Sequence, residues 1–181
     1  MTKKILLTVG TLLLYIGVSF AAPPFSGPED VAFAGKLWRA LEDNRLVGSD
    51  RFHAMPYKTP PPHGQFVEAI DGRISVDGRD DIVIVKKNFG ISKEETRQQI
   101  ADNPDQFMTS ITVMFKREKG YDSENKNWFW AKYYPDGSLF KNPKGMKLAG
   151  RVAKGSSKAC IACHTLAPGG DYVYIHDRYI D

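Results

Sequence analysis

Apolar positions fall into three patterns along the chain. Residues 5–20 form an almost unbroken apolar run; Ala34, Leu37, Trp38 and Leu41 recur at helical spacing; and short stretches after residue 64 alternate apolar with polar. Ser26-Gly27-Pro28-Glu29 reads as a capping box with proline in the first turn, so a helix is predicted from there to about Leu46. Residues 47–64 turn polar and proline-rich, ending in Thr59-Pro60-Pro61-Pro62-His63-Gly64, which demands an extended connection. Strands are predicted over 65–70 and 74–76, broken by turns at Asp71-Gly72 and Asp77-Gly78. Residues 81–89 make the strongest strand, because Ile82-Val83-Ile84-Val85 puts β-branched residues on both faces, the mark of a central strand. Ser92-Lys93-Glu94-Glu95 is a second capping box, opening a short helix that stops before Pro104. Strands resume over 110–117 and 127–134, a Pro135-Asp136-Gly137 turn feeds a short arm over 138–140, and the Gly-, Lys- and Ser-rich stretch 141–158 reads as loop.

Hairpin turns outnumber anything resembling a βαβ crossover. The predicted class is therefore α+β: a mainly antiparallel β-sheet with an N-terminal helix and a short middle helix. Lys3 and Lys4 ahead of the apolar run, and Ser19-Phe20-Ala21 behind it, read as a signal peptide over residues 1–21, leaving a single domain over 22–181. The run is shorter than the roughly 20 residues a membrane-spanning helix needs. Export to the periplasm is the resulting expectation. The leader holds two of the 25 basic residues and none of the 21 acidic ones, so the formal charge of +4 falls to +2 without it. So even a balance speaks against nucleic acid as a partner.

Charge and fold class leave the chemistry open; the cysteines change that. There are two, Cys160 and Cys163. A disulfide closing so small a loop would constrain little of the unfolded chain. Cys160-Ile161-Ala162-Cys163-His164 instead supplies, in five consecutive residues, two thiols to add across the vinyl groups of a porphyrin and an imidazole to reach its iron: the attachment site of one covalent haem c, with His164 as metal ligand. A thioredoxin-like dithiol wants a βαβ setting, and a zinc site wants four ligands where only His53, His63 and His176 could join the pair. Copper and flavin have no supporting motif. For the iron's second face Met108, Met114, Met146, His53, His63 and His176 are all available, and none has a spacing that singles it out.

From about Pro62 to Ile180 the chain resembles the cytochrome P-460 family of monohaem c-type cytochromes. The resemblance is carried by Pro62-His63-Gly64, Ile82-Val83-Ile84-Val85-Lys86, Ile111-Thr112-Val113-Met114, Gly120-Tyr121-Asp122, Asn127-Trp128-Phe129-Trp130-Ala131-Lys132-Tyr133, Pro135-Asp136-Gly137, the haem motif, and Gly170-Asp171-Tyr172-Val173-Tyr174. It implies a mainly β homodimer with a five-coordinate haem, related to cytochrome c-prime-beta. It further implies an oxidoreductase that acts on hydroxylamine at an open haem site and passes electrons to a soluble redox partner such as another cytochrome. In enzymes of the family a lysine amine is joined to a meso carbon of the porphyrin, and by motif that lysine is Lys86, which binds the cofactor and serves catalysis. Ile82, Ile84 and Lys86 share one face of their strand; Lys87 shares the other with Val83 and Val85, so a register slip of one residue would exchange the two lysines. The resemblance implies a distal carboxylate as proton relay, for which Glu68, Glu118 and Glu124 are candidates more readily read as solvated charges. Relatives without the lysine bond bind nitric oxide or carbon monoxide under an apolar cap; Phe107, Phe115 and Phe129 are candidates for it, and Trp128 and Trp130 for the pocket wall. His176 reads as surface.

Overall fold

The computed structural model describes residues 24–90, 94–152, 154–157 and 159–174; the expected leader and His176 lie outside them. Helix α1 (Pro28–Asp43) buries Ala34, Leu37, Trp38 and Leu41, the stripe its periodicity announces. Its N-cap is Gly27, one residue beyond the expected Ser26, and Asp30 accepts the Gly27 N–H at 3.3 Å. The reason is tertiary: Ser26 has a positive φ and spends its hydroxyl accepting the backbone N–H of Lys147. The helix also stops short of Leu46. Arg45 turns left-handed, and the N–H groups of Arg45 and Leu46 fold back onto the carbonyls of Glu42 and Leu41, a Schellman ending that satisfies the last turn.

Six strands follow in one antiparallel sheet whose spatial order is the chain order: β1 (Tyr57–Lys58), β2 (Phe66–Val76), β3 (Arg79–Phe89), β4 (Met108–Lys116), β5 (Trp128–Tyr133) and β6 (Ala149–Gly150). β3 is interior, as expected. Asp71-Gly72 is not a turn: both residues sit inside β2, paired with Ile84 and Val83, because the partner strand is long enough to keep them in register. Asp77-Gly78 is the turn, with φ of 54° and 75°, the doubly left-handed geometry of a two-residue hairpin. Between β3 and β4 lie α2 (Arg97–Asp102) and the single turn α3 (Pro104–Phe107). The capping box of α2 is Thr96 with Gln99; the expected cap at Ser92 lies outside the described residues. β6 lies within the stretch read as loop; two residues are too few for alternation to announce, and only their pairing with Trp130 and Ala131 makes them a strand.

The sheet separates two apolar clusters. α1 covers the face bearing Val83, Val85, Phe89, Val113, Phe115, Phe129 and Tyr133. The other face, with Ile84, Met114, Trp128 and Trp130, is covered by Ile161, Tyr172 and Val173 of the C-terminal segment, whose helix α4 spans Cys160–His164. Alternation along β3 therefore sends each of its side chains either to the helix or to the cysteine segment.

Candidate functional site

Cys160 and Cys163 lie a turn apart on α4, hence on one side of it. Burial pushes the Cys160 thiol up, while Cys163 is exposed. Ile161, buried against the sheet, anchors the turn. His164 is buried as well, and its Nδ1 lies 2.6 Å from the carbonyl of Tyr172. A carbonyl only accepts, so Nδ1 carries the hydrogen and Nε2 is the lone-pair nitrogen. The segment that supplies this carbonyl is tied down twice more: Trp128 Nε1 donates to the Asp171 carbonyl at 2.8 Å, and the Tyr174 hydroxyl donates to the Cys163 carbonyl at 3.0 Å. The His164 ring meets Trp130 and Tyr174 edge to face, at 4.8 and 5.4 Å between centres.

The sheet face beneath this imidazole is built in rows. Ile84, Met114 and Trp130 are cross-strand partners under the motif, and the next row is Lys86, Thr112 and Lys132. Lys86 is 6% exposed and lies on the motif's side of the sheet. Lys87 lies on the helix side, fully enclosed, where its ammonium donates to Glu68 Oε1 at 2.7 Å and to the Phe52 carbonyl at 2.5 Å. The choice between the two lysines, open in the sequence, is a matter of which face meets the cysteines. Burial lowers the pKa of the Lys132 amine in the same row.

His63, one of six candidates in the sequence, stands beside this row. Its ring centre is 6.2 Å from that of His164, and its Nδ1 is 3.2 Å from Asn88 Oδ1. Burial first, and then the charge of Lys86, lower its pKa to about 4, so the ring is neutral near pH 7. No sequence pattern would find this approach, although Pro62-His63-Gly64 is part of the resemblance.

Several other candidates lie elsewhere. Phe115 and Phe129 pack with Phe33 on the helix side, and Phe107 borders that same core, so none caps the motif. Glu68 is no solvated charge: it is the buried partner of Lys87, 1% exposed and on the helix side. Glu118 pairs with Arg79 and Arg117, and Glu124 with Lys154, both at the surface. His53 lines a cleft of about 250 Å³ with Pro56, Glu68 and Pro104. Met108 belongs to the helix-side core; Met114 and Met146 pack in the motif-side cluster.

The residues present fit a haem c group. Two thiols on one turn, an imidazole whose Nδ1 is tied back so that Nε2 can reach iron, and an apolar sheet face beside them are the parts attachment requires. Trp130 adds an independent sign: its indole Nε1, in a side chain 3% exposed, has no acceptor among the described residues. A buried donor of this kind is costly unless a bound group with acceptor atoms satisfies it.

The family model described as Cytochrome P460 matches residues 75–175, more than half of the chain. No curated protein and no solved structure matches it.

Proposed function

This chain belongs to the cytochrome P460 family, which implies a covalently bound haem c, and on that premise we propose an exported, periplasmic enzyme that oxidises hydroxylamine or a related small nitrogen species. Cys160 and Cys163 are the thioether residues and His164 is the iron's proximal ligand. Lys86 is the residue joined to the porphyrin edge. The observation that carries this reading is the sharing of one sheet face by Lys86 and the Cys160–His164 turn, with Lys87 turned away into an ion pair.

The group supplies, when bound, an iron that takes electrons from hydroxylamine; those electrons leave to a soluble redox partner such as another cytochrome, the protons pass to solvent, and nitrite as product takes its added oxygen from water. The chain's own residues do the rest. Tyr172 holds the His164 ring in one tautomer and orientation by accepting its Nδ1–H. Ile84, Met114 and Trp130 make an apolar wall that excludes water beneath it. Lys86, 6% exposed on that face, would hold the porphyrin edge through its amine.

Proteolysis of the exported protein followed by mass spectrometry tests this directly. One haem peptide should contain both the Cys160–His164 segment and Lys86, and the ferrous absorption should be strongly red-shifted. Lys86→Ala should release the second peptide and move the absorption back to that of an ordinary haem c, with hydroxylamine oxidation lost. An unchanged spectrum in that variant would leave a gas-binding or electron-carrying cytochrome in the enzyme's place.

A further inference from the structure

Trp130 and Lys132 stand two residues apart on β5, so both lie on the sheet face that meets the cysteine segment. Trp130 packs its indole against the His164 imidazole, 4.8 Å between ring centres. Its Nε1–H is enclosed and has no acceptor among the described residues. Trp128, on the same face of the same strand, shows the ordinary outcome: its Nε1 donates to the Asp171 carbonyl at 2.8 Å. Lys132 repeats the deficit as a charge. Its half-buried side chain places the ammonium 4.4 Å from the centre of the Phe140 ring, and it pairs with no carboxylate among the described residues.

A buried N–H without an acceptor and a half-buried cation without an anion are both unfavourable, and one kind of group relieves both: an anion with acceptor oxygens. Haem c brings such groups. Its four ring nitrogens are committed to iron, so the acceptors on its periphery are the two propionate carboxylates. A molecule held on the iron would be another acceptor, but it binds on the side away from His164. Trp130 packs on the His164 ring itself, which leaves a propionate as the acceptor its N–H can meet.

We infer that Trp130 and Lys132 hold the propionate edge of the haem, Trp130 by donating its Nε1–H to a carboxylate oxygen and Lys132 by pairing with the carboxylate charge. The inference rests on the haem reading, but neither on the lysine bond nor on hydroxylamine oxidation. The hold is a hydrogen bond and an ion pair, and no covalent bond forms or breaks. Two donors on a propionate draw its negative charge away from the iron. That favours the ferrous state, so the pair raises the reduction potential as well as orienting the group.

The test uses exported holoprotein as wild type, Trp130→Phe, Lys132→Gln and Lys132→Arg. Phenylalanine keeps an aromatic ring against His164 and removes the donor; arginine keeps the charge that glutamine removes. Resonance Raman scattering reads the propionate bending band, and a spectroelectrochemical titration reads the midpoint potential. Trp130→Phe and Lys132→Gln should keep the covalent haem by mass and the wild-type spin-state bands, while the propionate band shifts and the potential falls. Lys132→Arg should return both toward wild type. A propionate band and a potential unmoved in Trp130→Phe overturn the inference and leave the haem attachment standing. If Trp130→Phe takes up no haem, Lys132→Gln carries the test, and an unmoved band and potential there overturn the inference. Colourless wild-type protein with the mass of the bare polypeptide overturns the haem reading and this inference together.

Discussion

Lys86 and Lys87 are adjacent in the chain and separated by the thickness of the sheet. The first shares its face with the cysteine segment; the second is enclosed on the helix side with Glu68, where burial lowers its pKa and Glu68 pulls it back up. An ion pair shut away from water is costly to break from one side, because the remaining charge has no partner and no solvent. Lys87→Met alone should therefore cost about 3–5 kcal/mol in urea unfolding, whereas Glu68→Leu with Lys87→Met should recover most of it. A single variant within about 1 kcal/mol of wild type would show the pair to be solvated. The opposition of the two lysines is legible in sequence, since strand side chains alternate. Which of them meets the motif is not, because the covering residues are distant in the chain.

Elements depend on local signals wherever a turn is tight and on tertiary partners elsewhere. Asp77-Gly78 was readable because two consecutive left-handed residues are needed between paired strands; Asp71-Gly72 carries the same signal and was overruled by eleven residues of continuous pairing in β2. Gly78 and Gly137 make the contrast testable. Both have positive φ, but a Cβ at Gly78 meets nothing within 4 Å, while one at Gly137 would lie 2.5 Å from the Trp38 ring. Gly78→Ala should cost only the backbone strain of a left-handed alanine, about 1 kcal/mol. Gly137→Ala should cost at least about 2 kcal/mol more in thermal or urea unfolding, because the α1 side of the core must shift. Equal losses would mean that Trp38 is not packed on that turn.

The whole molecule is two cores on one sheet. The helix-side cluster contains α1 and residues from β2 to β6, and none from the cysteine segment. Its cohesion should not require the cofactor. Cys160→Ala with Cys163→Ala should give colourless protein that keeps its far-ultraviolet circular dichroism and cooperative unfolding, with hydrogen exchange accelerated over residues 159–174 alone. Global loss of the sheet signal would show instead that the two cores fold as one.

Five consecutive residues were enough to point to covalent haem attachment, because two thiols and an imidazole need only neighbouring positions to serve one porphyrin. Periodicity likewise determined the helix stripe, the central strand and the antiparallel class, since those follow from burying one face of a repeating backbone. The tertiary structure alone decided that β6 completes the sheet, that Glu68 belongs to the core, that the candidate phenylalanines lie on the wrong side, and that His63 comes up to His164. Each of these depends on segments far apart in the chain being brought together by packing, and no local pattern encodes a meeting of that kind.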